Sequence, residues 1–191
     1  MKDNKIQAVI FDCFGVLTGD VWKEFVGSLP EDQRSNARDL NRALDKNVIS
    51  HDEFYQQINQ LTGREVPMVE KIITSDMHKN KEVFKYIQSL KGKYKLAVLS
   101  NVSTNWIREQ FLTPEEISLF DDFVLSHEVG LIKPDPEIFK LAAKRLGVEV
   151  EDCLFIDDSP YNAQAAENLG MKAITYQNFS QFRSQADKLL F

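Results

Sequence analysis

Five short apolar runs, each followed by a segment with helical spacing, leave this chain few architectures. The runs are Ala8 to Phe11, Tyr94 to Ser100, Phe123 to Ser126, Cys153 to Asp157 and Lys172 to Tyr176. Runs this short and rich in Val, Ile, Leu and Phe suit strands covered on both faces. Between them, Val83, Phe84, Ile87 and Leu90 recur at helical spacing over Lys81 to Leu90. Ile138, Leu141, Ala142 and Leu146 do the same over Glu137 to Leu146, where Gly147 supplies a stop, and Ala163 to Leu169 ends likewise at Gly170. Phe179 to Phe191 reads as a closing helix with Phe182, Ala186, Leu189 and Leu190 on one side. Strands alternating with helices predict an α/β fold, a doubly wound, Rossmann-like parallel sheet. Ligands of such sheets bind at the carboxyl ends of the strands.

Residues 18–80 break the alternation. They contain no convincing strand and read as helices over Val21 to Leu29, Gln33 to Leu44 and Ser50 to Gly63. Ser50 with Glu53 makes a capping box, and Phe54, Ile58 and Leu61 form a stripe behind it. The expected division is a core of residues 1–17 and 81–191 with an inserted helical cap over 18–80. The alternative is a set of additional core helices with no gating role.

At 191 residues the chain is long enough for one domain with a modest insertion. Its net charge of -6 argues against a nucleic-acid or anionic-membrane partner, but not against a small anionic substrate. The first apolar run is broken at Asp12, too early for a signal peptide or a membrane span, so a cytoplasmic location is expected. Cys13 and Cys153 both lie in strand-like runs and are expected to be reduced core thiols. The expected state is a monomer or homodimer.

Chemistry-bearing residues stand where the strands end. Asp12 ends the first, Ser100 and Asn101 the second, and Asp157 and Asp158 the fourth, while Lys133 lies in the run Val129 to Pro136. A parallel sheet gathers these ends on one edge. Three carboxylates meeting there would repel one another in a low-dielectric pocket. A hard divalent cation such as Mg²⁺, which takes carboxylates, waters and substrate phosphate, resolves that repulsion. Lys133 adds a cation and Ser100 a hydroxyl. The ensemble suits a carboxylate that attacks phosphorus and is later freed by water. Taken singly, each residue has a plainer reading. Asp12, Asp157 and Asp158 could be helix caps, Ser100-Asn101 could cap a helix starting near Thr104, and Lys133 could be a surface loop residue.

Together these segments resemble the four motifs of the haloacid dehalogenase-like hydrolase superfamily. Phe11 to Leu17 is similar to the first motif, Leu96 to Asn101 to the second and Ser126 to Phe139 to the third. Leu154 to Ser159, with Asn162-Ala163 and Leu169 to Met171 after it, is similar to the fourth. The insertion resembles the helical form of a type-one cap, and the nearest resemblance is to small sugar-phosphate phosphatases and the phosphatase domains attached to epoxide hydrolases.

The resemblance implies a role for each residue. Asp12 would be the nucleophile and a Mg²⁺ ligand, and the Phe14 backbone carbonyl a second ligand. Ser100 would bind the phosphoryl group and Asn101 would orient nucleophile or substrate. Lys133 would steady both Asp12 and the phosphoryl charge. Asp157 and Asp158 would hold Mg²⁺ directly or through water. The substrate would be a small phosphorylated metabolite of the sugar-phosphate class. In the superfamily an Asp that shuttles protons usually stands where this chain has Phe14. Three consequences follow as alternatives: a phosphatase that takes its proton elsewhere, a 2-haloacid dehalogenase using Asp12, or a weak or inactive phosphate-binding protein. Dehalogenases of the superfamily carry an aromatic residue at this position but lack the paired acids of the fourth motif.

The remaining candidates read as structural. His51 is expected in an exposed first helical turn and His127 near the third-motif loop, and neither they nor His78 pair at metal-ligand spacing. Trp22 and Phe25 are expected to line the pocket or to pack the cap on the core, and Trp106 to be core.

Overall fold

A computed structural model describes residues 5–64 and 78–191. Five parallel strands form one sheet in the order β3-β2-β1-β4-β5. They are β1 (Ala8–Phe11), β2 (Lys95–Ser100), β3 (Asp122–Leu125), β4 (Cys153–Asp157) and β5 (Lys172–Thr175). β1 lies at the centre, its Ala8 beside Lys95 on one side and Cys153 on the other, and its Phe11 beside Val98 and Ile156.

Successive side chains of a strand point to opposite faces, so each strand feeds two cores. Val9, Phe11, Leu96, Val98, Leu154 and Ile156 share a buried cluster with Val83 and Ile87 of one helix and Phe182 and Ala186 of another. Ala8, Ile10, Ala97, Leu99, Val124 and Phe155 share a second cluster with Ile138, Phe139 and Ala142 on the opposite face. Because both faces are covered, the strands read as unbroken apolar runs rather than alternating ones.

The helices flanking the sheet fall where the periodicity predicts. Lys81–Leu90 matches its expected bounds, Pro136–Leu146 and Pro160–Asn168 each begin slightly earlier than expected, and Phe179–Leu190 closes the chain. Gly147 takes a left-handed φ of 72° after Leu146, as a C-terminal stop requires. Two segments depart from expectation. Ser126 starts a short helix, Ser126–Val129, instead of ending β3. Its buried hydroxyl accepts from the Val102 N–H (2.8 Å) and donates to the Val102 carbonyl (2.9 Å), tying together the loops that follow β2 and β3. After β2 the helix expected near Thr104 begins slightly later and is of the π type, over Ile107–Phe111. In i→i+5 geometry residues five apart come to the same side. Trp106 and Phe111 accordingly stack with ring centroids 5.0 Å apart.

In the insertion, α1 (Val21–Gly27), α2 (Glu31–Asp45) and α3 (His51–Thr62) follow one another. α3 has the expected capping box, with the Ser50 hydroxyl accepting from the Glu53 N–H and Glu53 reaching back to Ser50. Phe25, Val26, Leu29, Ala37, Leu44, Phe54 and Ile58 bury one another in a third cluster, separate from the two sheet faces. Trp22 stacks at a tilt on Phe25 (5.3 Å) and Phe54 (5.6 Å), so these aromatics serve the insertion's own core. The chain enters and leaves this region side by side. Thr18 bridges antiparallel to Lys79, and the Asn80 N–H donates to the Leu17 carbonyl (2.8 Å). The expected cap over 18–80 includes residues 65–77, and the expected core includes residues 1–4; both stretches lie outside the described residues. Cys13 and Cys153 are buried free thiols, and burial pushes Cys153 up to about 12. Among the described residues no helix is long and apolar enough to cross a membrane.

Candidate active site at the carboxyl edge of the sheet

The sheet brings the predicted strand-end residues to one edge. Asp12 follows β1, Ser100 ends β2, Asp157 ends β4 with Asp158 next, and Lys133 lies in the loop between the helices Ser126–Val129 and Pro136–Leu146. The Lys133 ammonium sits 2.8 Å from Asp12 Oδ1 and 2.7 Å from Asp157 Oδ2. It is 4% exposed, Asp12 6% and Asp157 0%, so this ion triad is screened little by solvent. Lys133 is therefore no surface lysine.

Each member is held by further hydrogen bonds. The Cys13 N–H donates to Asp12 Oδ1 at 2.6 Å. Asp157 accepts from the Ser159 N–H (2.8 Å) and from Asn162 Nδ2, which is 3.1 Å from both carboxylate oxygens. Asn101 clasps the Lys133 backbone from both ends, its Nδ2 donating to the carbonyl (3.0 Å) and its Oδ1 accepting from the N–H (2.8 Å). Asn101 thus places the lysine. The simple capping readings fail for this group. Ser159, not Asp157 or Asp158, is the N-cap residue of the following helix, and Asp157 turns its carboxylate mainly to Lys133 and Asn162.

Ser100 is fully buried, and among the described residues its hydroxyl has no hydrogen-bond partner. A buried polar atom left unsatisfied disfavours folding by about 1–3 kcal/mol unless a ligand engages it. Carboxylate oxygens of Asp12, Asp157 and Asp158 lie within 4.8 Å of one another. Burial raises the Asp12 pKa well above its ordinary value; Lys133 opposes this, and the charges of Asp157 and Asp158 add to it. For Lys133, burial lowers the pKa, but Asp12 and Asp157 outweigh it and the ammonium is held above its usual range. Two lysines, the buried Lys133 and the largely exposed Lys23 on Asp158, stand against three acids and leave the cluster short of positive charge. The donor set, all hard carboxylate oxygens, fits a divalent ion such as Mg²⁺.

Gly15 is what lets Asp158 approach. Its φ is +78°, and a Cβ there would lie 2.4 Å from Asp158 Cγ. Asp158 also meets Lys23 of α1, a contact the sequence did not suggest. Phe14 is half-buried, and its ring stacks on Trp106 with centroids 5.9 Å apart, extending the Trp106–Phe111 pair. The side chain at this position therefore belongs to an aromatic stack and holds no proton.

The insertion touches this edge through the turn between α2 and α3. Asn47, with φ at 56°, donates from Nδ2 to the His127 carbonyl (2.9 Å). His51 Nε2 lies 3.2 Å from Ser103 Oγ, so this exposed histidine joins the turn to the loop after β2. Asp45, at the end of α2, is 6% exposed. It escaped the sequence reading because an Asp in the last turn of an amphipathic helix reads as a solvent-facing charge.

Comparison with known proteins follows the same lines. A family model for haloacid dehalogenase-like hydrolases matches residues 6–170. A D-ribitol-5-phosphate phosphatase of Bacteroides thetaiotaomicron is 30% identical over 156 residues, covering 77% of this chain and 76% of that protein. An (S)-2-haloacid dehalogenase of Pseudomonas putida is 37% identical over 76 residues, but these make up 39% of this chain and 33% of that protein. Among solved structures, a haloacid dehalogenase-family enzyme of Bacteroides thetaiotaomicron in complex with magnesium and inorganic phosphate superposes with a TM-score of 0.69. It is 23% identical and covers 90% of this chain and 94% of that one, a likeness of fold. With the family matched across nearly the whole chain and the strand-end residues gathered at one edge, this protein belongs to the haloacid dehalogenase-like hydrolases and is an enzyme of the phosphatase type.

Proposed function

We propose that the protein is a Mg²⁺-dependent phosphatase of small phosphorylated metabolites, of the sugar- or polyol-phosphate class, acting through an aspartyl-phosphate on Asp12. The observation that carries this reading is the cluster of Asp12, Asp157 and Asp158, the first two buried on the Lys133 ammonium, beside the Ser100 hydroxyl that has no partner among the described residues. Asp12, Asp157, Asp158 and the Phe14 carbonyl would hold Mg²⁺, which supplies positive charge against the phosphoryl oxygens and the carboxylates. The polyol-phosphate class is drawn from the related ribitol-5-phosphate phosphatase.

The chain's own groups divide the work. Asp12 attacks phosphorus, and the bond to the leaving oxygen breaks as the Asp12–phosphorus bond forms. Lys133 keeps Asp12 in place and faces the charge of the transferring group, a role in which a fixed cation is worth more than in water. Ser100 donates to a phosphoryl oxygen and so gains the partner it lacks. Asn101 acts through Lys133, whose backbone it fixes. Water then attacks phosphorus and releases Asp12. Residues 18–80 serve as a cap whose paired connections at Thr18 and Lys79 form the hinge. Loop and domain closure of this kind excludes water from the reacting centre.

The experiment is a screen of phosphate monoesters, D-ribitol 5-phosphate included, alongside 2-haloacids. Phosphate release that EDTA abolishes, Mg²⁺ restores and Asp12→Asn eliminates is the expected result. Halide release independent of metal would overturn the reading, as would bound phosphate that is never turned over.

A further inference from the structure

An alkyl ester oxygen leaves phosphorus poorly unless it is protonated as the bond breaks. Several of the described groups around Asp12 are committed elsewhere. Phe14 has no proton and stacks on Trp106. Lys133 is engaged by Asp12 and Asp157. Asp20 caps α1, its Oδ1 accepting from the Lys23 N–H at 2.8 Å.

We propose that Asp45, on the last turn of α2, is the acid that protonates the leaving-group oxygen. This rests on the phosphatase reading above and names the residue that completes it. The carboxyl is buried within the molecule and stands two residues before the turn that ties the insertion to the loops of the catalytic edge. Asn47 holds the His127 carbonyl, in the short helix before the Lys133 loop, and His51 meets Ser103, three residues past Ser100. Asn41 Nδ2 donates to Asp45 Oδ2 (2.9 Å), and Oδ1 makes no hydrogen bond among the described residues.

The charged groups acting on Asp45 are Lys133 from the core loop and Asp20 from the start of α1. Of the two nearby imidazoles, His51 meets Ser103, whereas the His127 ring lies beside Glu128 and its buried Nδ1 has no hydrogen-bond partner among the described residues. Burial raises the Asp45 pKa to about 7, with Asp20 adding to the rise and Lys133 limiting it. An acid is most useful when its pKa lies near the working pH.

The chemistry balances over two steps. As the Asp12 oxygen bonds to phosphorus, the ester P–O bond breaks and its electron pair passes to the ester oxygen. That oxygen takes the Asp45 proton and departs as an alcohol, leaving a carboxylate opposite Lys133. In the second step Asp45 takes a proton from the attacking water. The Asp12–phosphorus bond breaks, inorganic phosphate leaves, and Asp45 is again protonated.

The test compares D-ribitol 5-phosphate and a set of other alkyl phosphates with p-nitrophenyl phosphate, whose phenoxide leaves without a proton. kcat/KM is measured with Mg²⁺ from about pH 5 to 9. In the unaltered protein the alkyl-to-aryl ratio of kcat/KM should fall above about pH 7, where Asp45 loses its proton; above that pH both phosphates are already largely dianions, so their own ionisation does not produce the fall. In Asp45→Asn the alkyl rate should drop about 10²-fold, the aryl rate far less, and the high-pH fall should vanish. In the double variant with Phe14→Asp the alkyl rate should recover in part.

A pH-independent ratio in the unaltered protein overturns the proposal without any variant being needed. So does an equal loss on both substrates, or turnover of p-nitrophenyl phosphate with no alkyl phosphate accepted. If p-nitrophenyl phosphate itself is not hydrolysed, the phosphatase reading has failed and the role of Asp45 falls with it. A working aryl reaction with a flat ratio rejects Asp45 alone.

Discussion

Two buried carboxylates, Asp157 on the sheet and Asp45 on the insertion, show how position in the fold decides what an acid can do. Asp157 is surrounded by donors: an ammonium, a backbone N–H and an amide. Asp45 has a single neutral amide donor and lies in surroundings that favour its protonated form. The first arrangement keeps a negative charge available as a ligand. The second keeps a proton available. A parallel sheet edge supplies donors in number because strand ends, loops and helix starts converge there, whereas the last turn of a single helix supplies few.

The contrast can be broken most severely at Lys133. Lys133→Met leaves Asp12 and Asp157 buried without their cation. The expected loss is about 3–5 kcal/mol, a Tm fall on the order of 10 °C in metal-free buffer, and Mg²⁺ should restore part of it. An unchanged Tm would mean that the triad is already neutral through protonation.

Asp45 should behave in the opposite sense. Its pKa is about 7 in the folded protein against an ordinary 3.8. Between these values the folded state holds a proton that the unfolded state has lost, so stability falls as pH rises through the interval. Asp45→Asn should remove that slope, leaving the variant more stable than the unaltered protein above pH 7 by at most about 4 kcal/mol, and little different near pH 4. Parallel Tm–pH curves for the two proteins would show that Asp45 is ionised in the folded state.

Gly15→Ala tests how tightly the sheet edge is built. The left-handed φ and the clash with Asp158 predict a loss of about 1–3 kcal/mol and a raised Mg²⁺ requirement, read from Tm and from activity against Mg²⁺. A fall in Tm with an unchanged Mg²⁺ requirement would separate Asp158 from the metal. The smallest effect is expected at Lys23, whose side chain is 63% exposed where it meets Asp158. Lys23→Ala should change stability by well under 1 kcal/mol. It should also lower the Mg²⁺ concentration for half-activation by about two- to fivefold, because Asp158 loses a competing cation. A higher requirement would make Lys23 a support for the site instead of a competitor.

The sheet was legible in the sequence because strands buried on both faces must be apolar throughout, and those of this chain end in polar residues. Asp12, Ser100, Asp157 and Asp158 could be picked out for that reason, and Lys133 from the run Val129 to Pro136. Asn101 was legible as a site residue, but not its clasp on the Lys133 backbone, which joins residues 32 apart in sequence. The π turn at Ile107–Phe111 was hidden because apolar spacing does not separate it from an ordinary helical turn, and the stacking of Phe14 on Trp106 was hidden because it is a tertiary contact. Asp45 was hidden for a related reason: a charged residue on a helix looks solvent-facing until a second element covers it, while Lys23 does stay largely exposed and only its meeting with Asp158, far away in sequence, was hidden.

By itself, then, the sequence determined the alternation of strand and helix, the helical insertion and the identity of the strand-end acids. These follow from local periodicity and from the burial of the strands, which any chain carries on its face. Only the tertiary structure decided which acids are compensated and which keep a proton. That depends on how many donors and cations the folded chain brings within a few ångströms of a carboxylate, and on how much water it excludes.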